Sequence, residues 1–227
     1  MSDAADPLTD LMDSWTRNAS AWTSAVRSGA IKTRVVTDRA MVEAVLARQP
    51  QRVLDLGCGE GWLIRALAQQ GIDGVGVDAS SALIEAAQQA GGGTFYLGSY
   101  AELAAGLVPL GNSFNVICAN FALLHAEIAP LLRALRPLLA AGGALIIQTL
   151  HPWAVGGAYR DGWREEDFAS VEGAWQPMPW YFRTLESWVE VLHESGYAVR
   201  QLYEPRHPET GVPLSMLCVA EPPEQFH

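Results

Sequence analysis

Lysine is nearly missing from this chain: Lys32 is the only one among 15 cationic residues, the rest being arginine. We read that imbalance as a coding bias. Against those cations stand 25 carboxylates, for a net charge of −10. Tight nucleic-acid binding needs a basic stripe that displaces counterions, and none is present, so nucleic acid is excluded as a partner. Cysteine is scarce as well. Cys58, Cys118 and Cys218 are odd in number, widely separated and without metal-ligand spacing. That pattern excludes a disulfide framework and a cysteine-held metal, and it fits reduced thiols in the cytoplasm. No metal site is expected. No apolar run reaches membrane-spanning length and no N-terminal stretch resembles a signal peptide. The expectation is a soluble cytoplasmic protein with no membrane partner; nothing in the pattern assigns an oligomeric state.

What is present is apolar residue in quantity, 49% of 227 positions, with only 18% charged. That is enough to bury one α/β core, so residues 1–227 are expected to form one domain. Residues 1–50 should be a mostly helical cover, 51–150 the core, 151–183 an aromatic lid, and 184–227 a helix followed by a strand pair. Only the first dozen or so residues, with Asp3, Asp6, Asp10 and Asp13, are expected to be loose.

From residue 52 onward strand-like and helix-like segments alternate. The strand runs are "RVLDL" (52–56), "GVGVD" (74–78), "TFYLG" (94–98), "FNVICAN" (114–120) and "ALIIQTL" (144–150). Between them, helical spacing occupies 60–70, 80–90 with a serine cap, a short piece near Ala101, and 127–143, which Pro137 should shorten or kink. Strands alternating with helices imply a parallel sheet with right-handed crossovers. Residues 151–183 lack steady periodicity and hold four of the eight tryptophans, the mark of a lid or binding loop. A helix over 184–196 and a closing strand pair complete the reading.

The stretch "VLDLGCGEGW" (53–62) sets Gly57, Gly59 and Gly61 directly after the first strand. In a parallel α/β sheet a ligand binds beyond the carboxyl ends of the strands, where their order reverses. Bare backbone there permits a sharp turn and close approach by a ligand, and the helix that follows offers free N–H groups. The dinucleotide fingerprint G-x-G-x-x-G would need glycine where Trp62 stands. Glu60 would also set a carboxylate close to an incoming pyrophosphate. A ligand with a cationic end suits the turn better.

Asp55-x-Gly57-x-Gly59-x-Gly61, with Asp78 ending the second strand, resembles the cofactor half of the class I S-adenosylmethionine-dependent methyltransferases. "NVICANFALLH" (115–125) and "RALRPLLAAGGALIIQTLHP" (133–152) resemble that family's fourth-strand motif and its approach to strand five. The likeness covers residues 50–150 strongly and the terminal hairpin weakly. It implies a doubly wound, mostly parallel seven-stranded sheet with helices on both faces and an antiparallel C-terminal strand, a Rossmann-like α/β fold. It also implies S-adenosylmethionine as cofactor and S-adenosylhomocysteine as product. By the same resemblance, Asp55 and the backbone at Gly57, Cys58 and Gly59 sit near the methionine end. Asp78, Ala79 and Leu83 surround the ribose and adenine, and Ser99, Tyr100 and Ala101 approach the adenine. Asn120 and Phe121 flank the sulfonium, and Arg34 reaches the cofactor carboxylate.

Methyl transfer is a direct displacement, so the protein has mainly to align acceptor, methyl carbon and sulfur. His125, after strand four, is the first candidate base and His151, after strand five, the second. Trp153, Tyr159, Trp163, Trp175, Trp180 and Tyr181 are the candidate wall of an acceptor pocket, with Trp153 and Tyr181 the foremost and Tyr181 counted as catalytic. The acceptor is expected to be a small molecule. Two alternatives stand beside this reading: an NAD(P)-dependent oxidoreductase on a similar sheet, and a non-catalytic methyltransferase-like subunit.

Overall fold

The computed structural model describes residues 7–169, 171 and 173–223. The five apolar runs become parallel strands β1 (Arg52–Leu56), β2 (Asp73–Asp78), β3 (Thr94–Leu97), β4 (Phe114–Asn120) and β5 (Leu139–Leu150). A separate antiparallel hairpin, β6 (Gly162–Glu166) with β7 (Met178–Phe182), follows. The last strands, β8 (Ala198–Tyr203) and β9 (Ser215–Glu221), extend the main sheet, β9 running antiparallel to β5. The order is β3-β2-β1-β4-β5-β9-β8, so the chain reverses direction across the sheet between β1 and β4. This is the doubly wound, Rossmann-like α/β fold the sequence implied.

Alternation along the strands sorts the helices by face. Val53, Val116, Cys118 and Ile146 pack beneath α2 (Arg34–Leu46) and α3 (Trp62–Ala68), and α4 (Ser81–Ala90) joins that side through Ile84 and Ala87. Leu54, Leu56, Ile117 and Ile147 point the other way, onto α5 (Tyr100–Ala104), α6 (Ala129–Leu135) and α7 (Leu185–Glu194). Asp55 shares the parity of Val53 and so points into the α2 and α3 side. Helix α1 (Pro7–Ser28) belongs to neither layer. It packs on β7 and α4, burying Leu11 against Phe168, Met178, Trp180 and Phe182. Among the described residues no helix is long and apolar enough to cross a membrane.

Four expectations need correction. The helix expected over 127–143 stops at Leu135; a single 3-10 turn, Arg136–Leu138, follows, because Pro137 has no N–H to continue the ladder. "LAAGG" then runs as the start of β5, Leu139 pairing with Phe114 before a register shift. The helix expected over 60–70 begins only at Trp62, since Gly61 sits at φ 82°. Asp10 and Asp13 lie inside α1 rather than in a loose terminus, while Asp3 and Asp6 fall outside the described residues. Finally, 151–183 is not wholly irregular: the β6–β7 hairpin carries Trp163, Trp180 and Tyr181.

Candidate functional site

The turn after β1 is built from left-handed backbone, with Gly57 at φ 63° and Gly59 at φ 55°, a region that side chains other than glycine rarely adopt. The two glycines serve different neighbours. A Cβ on Gly57 would come within 2.6 Å of the Ala122 methyl carbon and 3.1 Å of the Tyr100 hydroxyl, so the loop after β4 closes against it. A Cβ on Gly59 would meet only the Trp22 indole nitrogen of α1, at 3.5 Å. The third glycine of the run, Gly61, makes room for the Phe95 ring instead of a ligand.

Asp78 holds this turn in place. Its Oδ2 accepts from the Gly59 N–H and its Oδ1 from the Ser80 N–H, each at 2.9 Å. Burial raises its pKa above the usual carboxylate range, and the N–H groups of Ser80, Gly59 and Ala79 pull it back. Each oxygen keeps a lone pair that can still face a ligand. Asp55, 2% exposed, leaves Oδ1 buried without a partner. Burial pushes its pKa up to about 8; the negative charge of Asp78 adds to the rise and Arg34 opposes it. Asn120 likewise keeps a buried Oδ1 unpartnered. The next residue, Phe121, adopts φ 52°, costly for an aromatic residue, and donates its N–H to the Gln148 carbonyl at 2.7 Å.

Beside these groups lies a cleft of about 680 Å³, open solvent included, at the switch point between β1 and β4; Asp55 is buried next to it and does not line it. Gly57, Gly59, Asp78, Ala79, Leu83, Tyr100, Asn120, Phe121 and His125 all line it. His125 tilts against the Tyr100 ring with centroids 4.9 Å apart. Burial, with the nearby Arg183 charge, lowers its pKa to about 4. A bare turn, an acceptor pair at Asp78, and unpartnered acceptors at Asp55 and Asn120 fit a ribose joined to a cationic amino-acid tail.

Residues 33–202 match the family model of a methyltransferase domain. The chain belongs to the class I S-adenosylmethionine-dependent methyltransferases. The magnesium protoporphyrin IX methyltransferase of Synechocystis PCC 6803, solved with bound S-adenosylhomocysteine, shares the fold of this methyltransferase at TM-score 0.66 and 18% identity. That match covers 95% of this chain and 99% of the other. An uncharacterized methyltransferase of Schizosaccharomyces pombe is 29% identical over 171 residues, 70% of this chain and 64% of the relative. The ubiquinone biosynthesis O-methyltransferase of Cereibacter sphaeroides is 35% identical over 115 residues, 48% of this chain and 45% of the relative. The methyltransferase thus spans less than two thirds of the length of either curated relative. The nicotinamide alternative is not favoured by this membership. Glu60, expected to set a carboxylate close to an incoming pyrophosphate, is instead fully buried and turned away, held by Arg65 at 2.6 Å and Arg27 at 3.1 Å.

The methyltransferase has a second cavity beside the first, about 970 Å³ with open solvent, sharing Trp15, Trp22, Phe121 and Leu124 as its wall. Arg34 lines this second cavity and not the first. It pairs with Asp38 at 3.0 Å, and its Cζ lies 5.7 Å from the Trp22 ring centroid and 4.9 Å from that of Trp62. Its Nη2 is buried and unpartnered. Burial holds the Asp38 carboxyl up at about 6 despite that arginine. Trp22 therefore stands between the glycine turn and Arg34.

Several expected residues stand elsewhere. Ser99 caps α5: its side chain accepts from the Glu102 N–H, and the Glu102 carboxylate takes the Ser99 N–H at 2.8 Å, so both polar groups expected at an adenine are engaged. Ala101 is exposed outside the cleft, and Cys58 is buried behind it among Ile64, Ile84 and Phe95. His151 has both ring nitrogens occupied, Nδ1 by the Trp153 N–H and Nε2 by Glu204 at 2.9 Å. Tyr181 packs between the Trp163 ring and the Arg183 guanidinium. Neither lines the cleft or the second cavity. Of the six candidate wall aromatics only Trp180 does; Trp153 is 80% exposed, and Trp175 stacks on Phe168. The residues that sequence reasoning missed are Leu11, Met12, Trp15 and Trp22 of α1, with Ser80, Ala122 and Leu124. Trp15 and Trp22, seven apart on one helical stripe, were the available signal.

Proposed function

We propose that this enzyme moves a methyl group from S-adenosylmethionine to a small-molecule acceptor bound in the cavity lined by Phe121, Leu124 and Trp180. The carrying observation is the shared wall: the cleft at the glycine turn and the second cavity meet at Phe121, Leu124, Trp15 and Trp22. A small acceptor also agrees with the net charge of −10 and with the ubiquinone biosynthesis in which the Cereibacter sphaeroides relative is named.

When bound, the cofactor supplies a sulfonium methyl with a good leaving group. The protein's share is alignment and exclusion of water, which supplies several kcal/mol, up to roughly 7–11 in favourable geometries. Asp78 accepts from the ribose hydroxyls with the lone pairs its loop bonds leave free. Ala79 and Leu83 flank the adenine, Asn120 offers its unpartnered oxygen to the cationic end, and Asp55, buried and outside the cleft lining, acts on that end through its charge. Arg34 offers its unpartnered Nη2 to the amino-acid carboxylate, for which Trp22 must shift. His125, neutral near pH 7, accepts a hydrogen bond from the acceptor rather than removing a strongly held proton. His151, with both nitrogens committed, serves the fold around Glu204.

Calorimetry with S-adenosylhomocysteine and NADH tests the cofactor, and release of S-adenosylhomocysteine across a panel of small acceptors tests the reaction. Binding of the first ligand alone, followed by turnover, is expected. Binding of the cofactor product with no turnover on any acceptor would favour a partner subunit without catalysis.

A further inference from the structure

We propose that the acceptor is a hydrophobic amine, held as its cation among Trp15, Trp22, Phe121, Phe168 and Trp180 with Glu166 as the counter-charge. The inference rests on the reading of the two joined cavities as a methyltransferase site. Five aromatic residues line the second cavity together with one carboxylate from the hairpin, Glu166. Ring faces carry negative potential and attract an organic cation within about 6 Å, most strongly where water is excluded. The charges of the cavity point the same way. Arg34 already faces Asp38 at 3.0 Å. Glu166 has no cationic partner among the described residues; its Oε1 accepts only the Phe168 N–H, at 2.9 Å. An ammonium would complete that carboxylate, whereas a carboxylic acid would be repelled by it.

The chemistry of the cleft agrees. A phenol or alcohol must lose a proton as it attacks, and the one imidazole lining the cleft is held neutral with its pKa near 4. An amine loses its proton before the attack instead of during it, so no base has to stand at the reacting atoms. Its ammonium gives up one proton to water, and the freed nitrogen lone pair forms the N–C bond. As it forms, the C–S bond breaks and its electron pair stays on sulfur. The methylated nitrogen, now cationic, then sheds a proton to solvent.

The test uses three probes sharing one ring system: tryptamine, tryptophol and indole-3-propionate, titrated into the full chain saturated with S-adenosylhomocysteine. Tryptamine should bind roughly 10-fold tighter than tryptophol, the range expected of one hydrogen bond to a charged group. Indole-3-propionate should bind weakest. Glu166→Gln keeps an oxygen for the Phe168 N–H but removes the charge; it should erase the amine preference and leave S-adenosylhomocysteine affinity intact. The proposal is overturned if the loaded protein binds the acid or alcohol as well as the amine, if it binds none of the three, or if Glu166→Gln keeps the preference. Failure to bind S-adenosylhomocysteine at all would instead refute the methyltransferase reading beneath it.

Discussion

Asp78→Asn separates the ligand role of that carboxylate from its role in the turn. Both oxygens already accept backbone N–H groups at 2.9 Å, so each has one lone pair left for a ribose hydroxyl. Asparagine keeps one oxygen and turns an NH₂ toward the other N–H, losing one loop bond and one ribose bond together. A hydrogen bond to a charged group contributes about 1.5–3 kcal/mol net, so S-adenosylhomocysteine should bind roughly 10- to 100-fold more weakly. The lost loop bond appears in stability, not affinity: about 1–3 kcal/mol, or a fall in Tm of roughly 2–12 °C for a domain of this size. Calorimetry with S-adenosylhomocysteine and with adenosine reads the first effect. Because the lost bond is to the ribose, both ligands should weaken by the same factor. Arg34→Met, by contrast, should weaken S-adenosylhomocysteine and spare adenosine, which has no carboxylate. A dissociation constant for Asp78→Asn within twofold of the native value would refute the ribose role, as would an adenosine affinity left unchanged.

Two further outcomes follow from buried charge. Asp55 is protonated below about pH 8 in the free protein, because burial and the neighbouring Asp78 disfavour its carboxylate. The ammonium of a bound amino-acid tail favours the ionised form, so binding should release a proton and affinity should rise with pH between 6 and 8. Calorimetry in buffers of different ionisation enthalpy measures that release; Asp55→Asn should flatten the profile, and affinity that falls with pH would contradict it. Glu60→Gln should lower stability by about 2–3 kcal/mol, below the roughly 3–5 of a fully buried broken pair, because the arginines left behind can reach water. Arg27 is 48% exposed and Arg65 26% exposed, while Glu60 itself is fully buried. Thermal unfolding should show a Tm lower by roughly 4–12 °C, and no change would mean the clamp contributes nothing.

The sheet was legible because its cause is local. Aliphatic runs such as "NVICA" and "ALIIQ" are buried on both faces, and runs joined to each other by a helical crossover pair in parallel. Asp55, Gly57, Gly59 and Asp78 were legible for the same reason: a left-handed turn and the carboxylate that accepts its N–H lie on neighbouring strands at fixed spacing. The 127–143 helix misled because alanine, leucine and arginine favour helix wherever they occur. Only pairing with Phe114 and a missing N–H at Pro137 turned Leu139 into strand, and tertiary pairing is invisible in a local window. Ser99 misled differently: the capping box it makes with Glu102 was written in the sequence, and it competes for the very groups an adenine would use.

The second cavity was illegible for a reason that also bears on its proposed role. Helix α1 reaches the site through ties that span the chain: Asn18 exchanges two 2.9 Å hydrogen bonds with the backbone of Gln176, and Arg27 reaches Glu60 beside the glycine turn. No periodicity within α1 announces those partners, so Trp15 and Trp22 look like any buried helical stripe. Yet the same ties make α1 and the hairpin one wall, since Leu11 packs against Met178, Trp180 and Phe182. The cofactor cleft is built from strand ends that the fold dictates. The second cavity draws much of its wall from α1 and the hairpin segment, through Trp15, Trp22, Glu166, Phe168, Met178 and Trp180, which lie outside the main sheet. If that cavity takes the acceptor as proposed, substitutions at Trp15, Phe168 or Glu166 should change which acceptor enters without disturbing the turn that Asp78 holds.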